Sequence, residues 1–125
     1  MITFSLPYPP SANKIWRNLG DRTVKSADYK QWLFAANAAI PLSARGVVTG
    51  RCSVTVIADR PDRRARDIDN LAKPVLDAIK PQKNMPLKGV IRDDYLVAPL
   101  LLDWSSEEPV ANPKIRVTIT PLEAA

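Results

Sequence analysis

Prolines fix where several elements of this chain must end. Twelve of the 125 residues are proline, and proline can neither donate a hydrogen bond to a sheet nor continue the interior of a helix. Three of them, Pro7, Pro9 and Pro10, follow an alternating apolar and polar segment. Pro41 follows a stretch with helical periodicity, and Pro81 opens a loop that extends to Gly89.

Four segments have the pattern of β-strands. The segments 2–6 and 114–120 alternate apolar and polar residues, as strands with one buried face do. The segment 52–59 is rich in β-branched residues, and 95–104 is largely apolar. Pro99 within the last segment indicates a strand at the edge of the sheet or a bulge.

Two segments have the pattern of α-helices. The first is predicted to begin at Ser26 as N-cap and to end at about Ala39. The second covers about Asn70 to Ile79, and Pro74 then lies close to its first turn, where N–H groups lack helical partners. The order β-α-β-α-β-β predicts an α+β fold with two helices packed on a small mixed sheet, as a single domain over 1–125. The apolar face predicted for the first helix consists of Tyr29, Trp32, Leu33, Ala36 and Ile40.

Several classes of site are excluded by composition. The chain contains no histidine and one cysteine, Cys52, which excludes histidine-based triads, histidine zinc sites, an internal disulfide and cysteine-cluster metal sites. Cys52 is predicted to be a core residue. No apolar run reaches the ~20 residues of a membrane helix, and the N-terminus lacks a signal-peptide pattern. We therefore expect a soluble intracellular protein with no membrane partner.

The positive charge is concentrated in the first half of the chain. The net charge is +5; residues 1–58 contain seven basic and two acidic residues, whereas 59–125 contain eleven of each. A basic surface of this kind raises the expectation of a nucleic-acid partner.

The second half contains two groups of carboxylates. Asp67 and Asp69 precede a helix that carries Lys73 and Asp77, and Asp93-Asp94 precede a strand. If folding brings these groups together, their oxygens would suit Mg²⁺, with Mn²⁺ as a possible substitute. Such a metal promotes phosphodiester hydrolysis by polarising the phosphoryl group and activating a water. Nearby arginines would attract the polyanion: Arg60, Arg63, Arg64 and Arg66.

Each of these residues also has a simpler structural interpretation. Asp67, Asp69 and Asn70 could cap a helix. Asp69, Lys73 and Asp77 could form solvated ion pairs, and the Asp93-Asp94 pair could lie in a turn. Trp16 could stack on a base or could anchor its loop against the sheet.

These motifs resemble the RusA family of Holliday-junction resolvases. The resemblance rests on Arg-Asp-Ile-Asp-Asn-Leu-Ala-Lys at 66–73, Leu-Asp-Ala at 76–78, Gly-Val-Ile-Arg-Asp-Asp at 89–94 and the proline-rich opening at 6–13. It implies a Mg²⁺-dependent endodeoxyribonuclease that acts as a homodimer on four-way DNA junctions. Such proteins are often encoded by phages and prophages, which implies that this one is cytoplasmic in a bacterial host.

The resemblance also implies roles for individual residues. Asp67, Asp69 and Asp94 correspond to metal-binding catalytic carboxylates, Lys73 to an active-site lysine, and Asp93 to a further metal-ligand position. The residues that we predict to contact DNA are Asn13, Lys14, Trp16, Arg17, Arg63, Arg64, Arg66 and Asn70. Two other functions stay open: a less selective nuclease for branched DNA, and a non-catalytic DNA-binding protein.

Overall fold

The computed structural model describes residues 1–11, 14–82 and 88–122. Its helices are α1 (Ala27–Ala39) and α2 (Ala72–Ile79). Its strands are β1 (Ile2–Pro7), β2 (Trp16–Asn18), β3 (Thr23–Lys25), β4 (Cys52–Arg60), β5 (Val97–Pro109) and β6 (Lys114–Pro121). Short 3₁₀ turns cover Leu42–Ala44, Ile68–Leu71 and Asp94–Leu96.

The main sheet is mixed, with strand order β1-β6-β4-β5. Strand β6 runs antiparallel to β1 and to β4, whereas β4 and β5 are parallel and are joined by a connection that contains α2. Alternate residues of the two central strands point into the core, among them Val54, Val56, Ile115 and Val117. The prediction of a mixed sheet packed with two helices is confirmed.

Helix α1 forms as the sequence predicts. The Ser26 hydroxyl accepts a hydrogen bond from the Tyr29 amide at 3.1 Å, which caps the first turn. All five residues of the predicted apolar face are buried. The indole of Trp32 also donates a hydrogen bond to the Pro7 carbonyl at 2.9 Å, which ties α1 to the end of β1.

Helix α2 begins two residues later than predicted, because the 3₁₀ turn Ile68–Leu71 precedes it. Pro74 is therefore the third residue of the α-helix. At that position the missing N–H would have had no helical partner, so the proline is compatible with the helix. Three other residues of the helix, Val75, Ala78 and Ile79, are fully buried.

A two-stranded antiparallel ribbon, β2-β3, was not predicted from the sequence. Its strands have three residues each and are mostly exposed, so no apolar alternation marks them. The ribbon is held at its base by buried Ile15, whose carbonyl accepts a hydrogen bond from the Ser26 amide at 2.8 Å. Ser26 thus caps α1 and also fixes the base of the ribbon.

Strand β5 differs from its prediction at both ends, because Tyr95 lies in a 3₁₀ turn and the strand continues to Pro109. Glu107 and Glu108 extend the strand and form ion pairs with Arg60 and Arg63. The expectation for Pro99 is confirmed: β5 is an edge strand, and its pairing with β4 is irregular around that residue.

Gly89 lets the chain approach the end of α2 closely. A Cβ atom at this position would lie 2.6 Å from the Lys80 carbonyl carbon and the Pro81 nitrogen. The amides of Val90 and Ile91 both donate to the Ile79 carbonyl, at 2.8 and 3.2 Å. These contacts fix the segment that leads to Asp93 and Asp94 at the C-terminal end of α2.

Two further expectations concern composition. Cys52 is fully buried, as predicted, and burial raises the pKa of its thiol. Among the residues described, no helix has the length and apolar character needed to cross a membrane.

Buried side chains on the central strand β6 should contribute strongly to stability. Ile115→Ala removes a fully buried side chain between β1 and β4, and we expect it to lower the free energy of unfolding by about 2–5 kcal/mol. Leu101→Ala is the control, because Leu101 is 51% exposed on the edge strand. Urea unfolding of both variants measures the difference, and equal effects would contradict this description of the core.

Candidate active site

The predicted residues Asp67 and Asn70 lie in one polar cleft with two arginines. The cleft is formed by the chain after β1 and by the loop between β4 and α2. Its lining residues are Tyr8, Pro10, Ser11, Arg64, Ala65, Arg66, Asp67, Asn70 and Leu71. Carboxylate and guanidinium groups therefore share one concave surface, as the sequence analysis expected for this segment.

An ion pair holds Arg66 in place within the charged segment 60–67, here called the arginine-rich loop. The Arg66 guanidinium donates to both carboxylate oxygens of Asp62, at 3.0 and 2.6 Å, and the Arg64 amide donates to Asp62 at 3.1 Å. The hydrogen bond from Arg66 lowers the pKa of Asp62 to about 2 and raises that of Arg66 itself. A two-pronged pair of this kind fixes the orientation of the guanidinium plane.

The other predicted DNA-binding residues differ in their surroundings. Lys14 lines a second cleft beside the first, together with Arg64 and Arg66. Arg63 instead forms an ion pair with Glu108 at 2.8 Å. Arg17 is exposed on the β2-β3 ribbon, and Asn13 lies outside the described residues.

Trp16 lies beside the predicted active-site lysine. The indole is 44% exposed on β2, and the Lys73 ammonium lies 5.5 Å from the centroid of its ring. This distance is within the range of a cation–π interaction. The ribbon that carries Trp16 is thus in contact with the first turn of α2.

Lys73 is also held from within the fold by Asp77, one helical turn further along α2. The ammonium lies 3.3 Å from each carboxylate oxygen of Asp77. Asp77 is only 2% exposed, and its Oδ2 accepts a hydrogen bond from the Tyr29 hydroxyl at 2.6 Å. Burial, followed by this hydrogen bond to the carboxylate, raises the pKa of Tyr29.

Lys80 connects Asp77 to the second group of carboxylates. Its ammonium lies 3.5 Å from Asp77 Oδ1 and 3.3 Å from Asp94 Oδ2. Burial opposes the charged form of Lys80, but the carboxylates of Asp94 and Asp77 outweigh it and raise its pKa. Hydrogen bonding with Asp93, and also with the Lys80 ammonium, lowers the pKa of Asp94.

The capping interpretation applies to only part of the carboxylate set. Asp93 caps the 3₁₀ turn that follows it, since its side chain accepts from the Asp94 amide at 2.7 Å. Asp67 occupies the N-cap of the turn Ile68–Leu71 without a side-chain capping hydrogen bond, and the N-cap of α2 is Leu71. Asp69 is exposed within that turn.

The donor atoms fit a hard divalent cation in their chemistry. Asp67 and Asp69 present exposed carboxylate oxygens, and Asp94 is half-buried. Within ranges 1–11, 14–82 and 88–122, no three acidic or cysteine side chains are close enough together to hold one metal ion. The metal-ligand and catalytic roles of Asp67, Asp69, Asp93 and Asp94 therefore stay predictions.

Comparison with known proteins agrees with the resemblance in the motifs. A family model described as endodeoxyribonuclease RusA matches residues 7–120. This chain belongs to the RusA family. It is also 38% identical over 77 residues to a protein of Enterobacteria phage HK97 named crossover junction endodeoxyribonuclease rusA. That match covers 61% of this chain and 64% of the phage protein, so the chain spans less than two thirds of its relative.

Three groups in this candidate site were not predicted from the sequence: Lys80, the hydroxyl of Tyr29 and Asp62. Lys80 follows Asp77 by three positions and Lys73 by seven, so helical spacing could have placed it on the same face. No sequence pattern indicated a role for the Tyr29 hydroxyl, because the spacing of this residue predicts only a position on an apolar face. Asp62 could have been paired with Arg66 only by knowing the conformation of the loop.

The Asp62–Arg66 pair predicts a titration at unusually low pH. The lowered pKa means that the pair is intact above the ordinary value of 3.8 and is lost as the pH falls through about 2. A ¹³C NMR titration of the Asp62 carboxyl should therefore have a midpoint near 2.

Two variants test the cause of this shift. Arg66→Gln should move the midpoint back toward 3.8, whereas Arg51→Gln, which removes an exposed arginine outside the loop, should leave it unchanged. A midpoint near 3.8 in the unmodified protein would show that the ion pair does not form in solution.

Proposed function

We propose that this chain is a Mg²⁺-dependent endodeoxyribonuclease that resolves four-way DNA junctions. The observation that carries the proposal is the cleft in which Asp67 and Asn70 lie beside Arg64 and Arg66, in a chain of the RusA family. The name of the phage relative, crossover junction endodeoxyribonuclease, supports the same substrate.

The basic groups would bring a DNA phosphate to the carboxylates. Arg64 is exposed and lines both clefts, and Lys14 extends the basic surface along the second one. Without these cations, the carboxylates would repel a phosphodiester. We expect binding to weaken steeply as the salt concentration rises, as phosphate-directed contacts do.

The residues that would hold the metal are Asp67, Asp69 and Asp94, with Asp93 as a further ligand. When bound, Mg²⁺ or Mn²⁺ would supply Lewis-acid activation of the phosphodiester and of a water. Because no three of these side chains are grouped within the described ranges, metal binding would have to draw them closer together. The Asp94 carboxylate would then have to contact the metal and Lys80 at the same time, or give up its contact with Lys80.

Lys73 would stabilise negative charge on the scissile phosphate, because a positioned ammonium is most effective where charge develops in the transition state. Lys73 lies beside Trp16, which gives the β2-β3 ribbon a function at the same place. The exposed face of the indole could stack on a base near the cut.

The substrate gives a reason for a homodimer. A four-way junction has two symmetry-related scissile phosphates, and a subunit of this size would carry one site. A two-fold dimer would place one site at each phosphate. We further propose that the protein acts in the cytoplasm of a bacterial host, as a phage enzyme of this class would.

The decisive measurement is incubation of the purified protein with a labelled mobile four-way junction, in Mg²⁺ and in EDTA. Paired symmetric nicks that require Mg²⁺, with linear duplex left intact, are the expected result. Equal cutting of three-way and flap substrates would instead indicate the less selective nuclease. Tight, salt-dependent binding without nicks at any Mg²⁺ concentration would indicate a non-catalytic DNA-binding protein.

The variant Asp69→Asn tests the predicted metal site. We expect it to lose at least about 10–100-fold in cleavage rate, because removing a ligand should cost no less than removing an outer-shell partner. Junction binding in EDTA should be unchanged or tighter, since a negative charge near DNA is lost. Asp103→Asn neutralises an exposed carboxylate on β5 and serves as the control. Normal cleavage by Asp69→Asn would show that the site has been assigned to the wrong residues.

A further inference from the structure

Asp77 has surroundings that its position in a nuclease motif does not explain. It is a nearly fully buried carboxylate that contacts three side chains: the Tyr29 hydroxyl on α1, the ammonium of Lys73 on α2 and the ammonium of Lys80, the C-cap of α2. The two lysines themselves reach outward, with side chains 52% and 30% exposed. The charge therefore lies inside the fold while its partners extend to the surface.

Stability alone is a weak reason for such an arrangement. A buried ion pair loses hydration on both partners, and well-packed apolar residues often stabilise a fold equally well. The geometry indicates a different role: the Asp77 carboxylate restricts two long and flexible side chains to defined positions.

We propose that Asp77, oriented by Tyr29, is a positioning residue that holds Lys73 and Lys80 in place for the reaction. This inference rests on the proposed function. Asp77 Oδ1 lies between the two ammonium groups, 3.3 Å from Lys73 and 3.5 Å from Lys80. Lys73 is thereby directed to Trp16, and Lys80 to Asp94.

The hydrogen bond from Tyr29 fixes the orientation of the Asp77 carboxylate. The hydroxyl donates to Oδ2 at 2.6 Å from a side chain that is itself fully buried in α1. A carboxylate held in this way cannot rotate freely, so both lysines meet a fixed acceptor. A disturbance at Tyr29 should thus reach Lys73 and Lys80 without any change at the surface.

Two variants separate positioning from folding. Asp77→Asn keeps the shape of the side chain but removes its charge, and Tyr29→Phe removes only the hydroxyl. We expect the single-turnover cleavage rate of Asp77→Asn to fall roughly 10–100-fold, as for other supporting groups around a reactive centre. Tyr29→Phe should lose about tenfold, the value of one hydrogen bond to a charged group. The dissociation constant for the junction in EDTA should stay within about twofold of the wild type, since a tenfold change would signify a lost contact.

A second readout does not depend on catalysis. Trace acylation of lysines followed by mass spectrometry reports how strongly each ammonium is held. In Asp77→Asn, Lys73 and Lys80 should both react several-fold faster than in the wild type, while the exposed Lys30 on α1 keeps its rate. Asp103→Asn and Tyr95→Phe change an exposed carboxylate and an exposed phenol, and they should alter neither readout.

The outcomes distinguish this inference from the proposed function. Unchanged acylation in both Asp77→Asn and Tyr29→Phe would overturn the positioning role, whatever the cleavage rate. Equal losses in cleavage and in junction binding would also overturn it, in favour of a purely structural role. If Asp77→Asn fails to fold, the two readouts on Tyr29→Phe decide. A wild-type protein that binds junctions and never cuts them would overturn the proposed function, and acylation would still report whether Asp77 holds the lysines.

Discussion

A buried carboxylate on α2 has to be compensated by groups from the neighbouring elements. Asp77 is 2% exposed, and an isolated charge at such a position would be strongly destabilising. The fold compensates it with the hydroxyl of Tyr29 and with the ammonium groups of Lys73 and Lys80. Because Tyr29 belongs to α1, this compensation also fixes how the two helices pack. Because Lys80 also contacts Asp94, it connects the helix pair to the second group of carboxylates.

Backbone contacts also hold the C-terminal end of α2 against the segment that leads to Asp93 and Asp94. Gly89 allows the chain to pass against the carbonyl of Lys80, and the carbonyl of Ile79 accepts two amide hydrogen bonds from the segment that follows. An eight-residue helix is only about 12 Å long. The group at Asp67 and Asp69 lies before this short helix and the group at Asp93 and Asp94 beyond its end, and lysines extend from its first turn and its C-terminus. Helix α2 is thus the element on which the relative position of the two groups depends.

The sequence predicted features that depend on local pattern and missed features that depend on tertiary contact. Alternation was sufficient for β6, and the cap at Ser26 with its apolar face was sufficient for α1, because each pattern has one interpretation. The β2-β3 ribbon depends on Ile15 and Ser26, whose roles appear only when α1 is in place. The motif placed Asp67, Asn70 and Arg66 in one segment, and they line one cleft. The hydroxyl of Tyr29 belongs to a residue whose spacing indicates only an apolar face, so its bond to Asp77 could not be predicted.

The ion pairs of the arginine-rich loop show why formal charge is a poor measure of the proposed DNA-binding surface. Arg66 is paired with Asp62, Arg63 with Glu108, and Arg60 with Glu107 and the ring of Trp104. These arginines determine the shape of the loop and its attachment to β5 before they can attract any ligand. Surface ion pairs of this kind contribute little stability individually, but together they orient the segment that leads into Asp67. A substitution at Arg63 or Arg60 should therefore affect the proposed binding of DNA partly through loop geometry, whereas one at exposed Arg64 should act through charge alone.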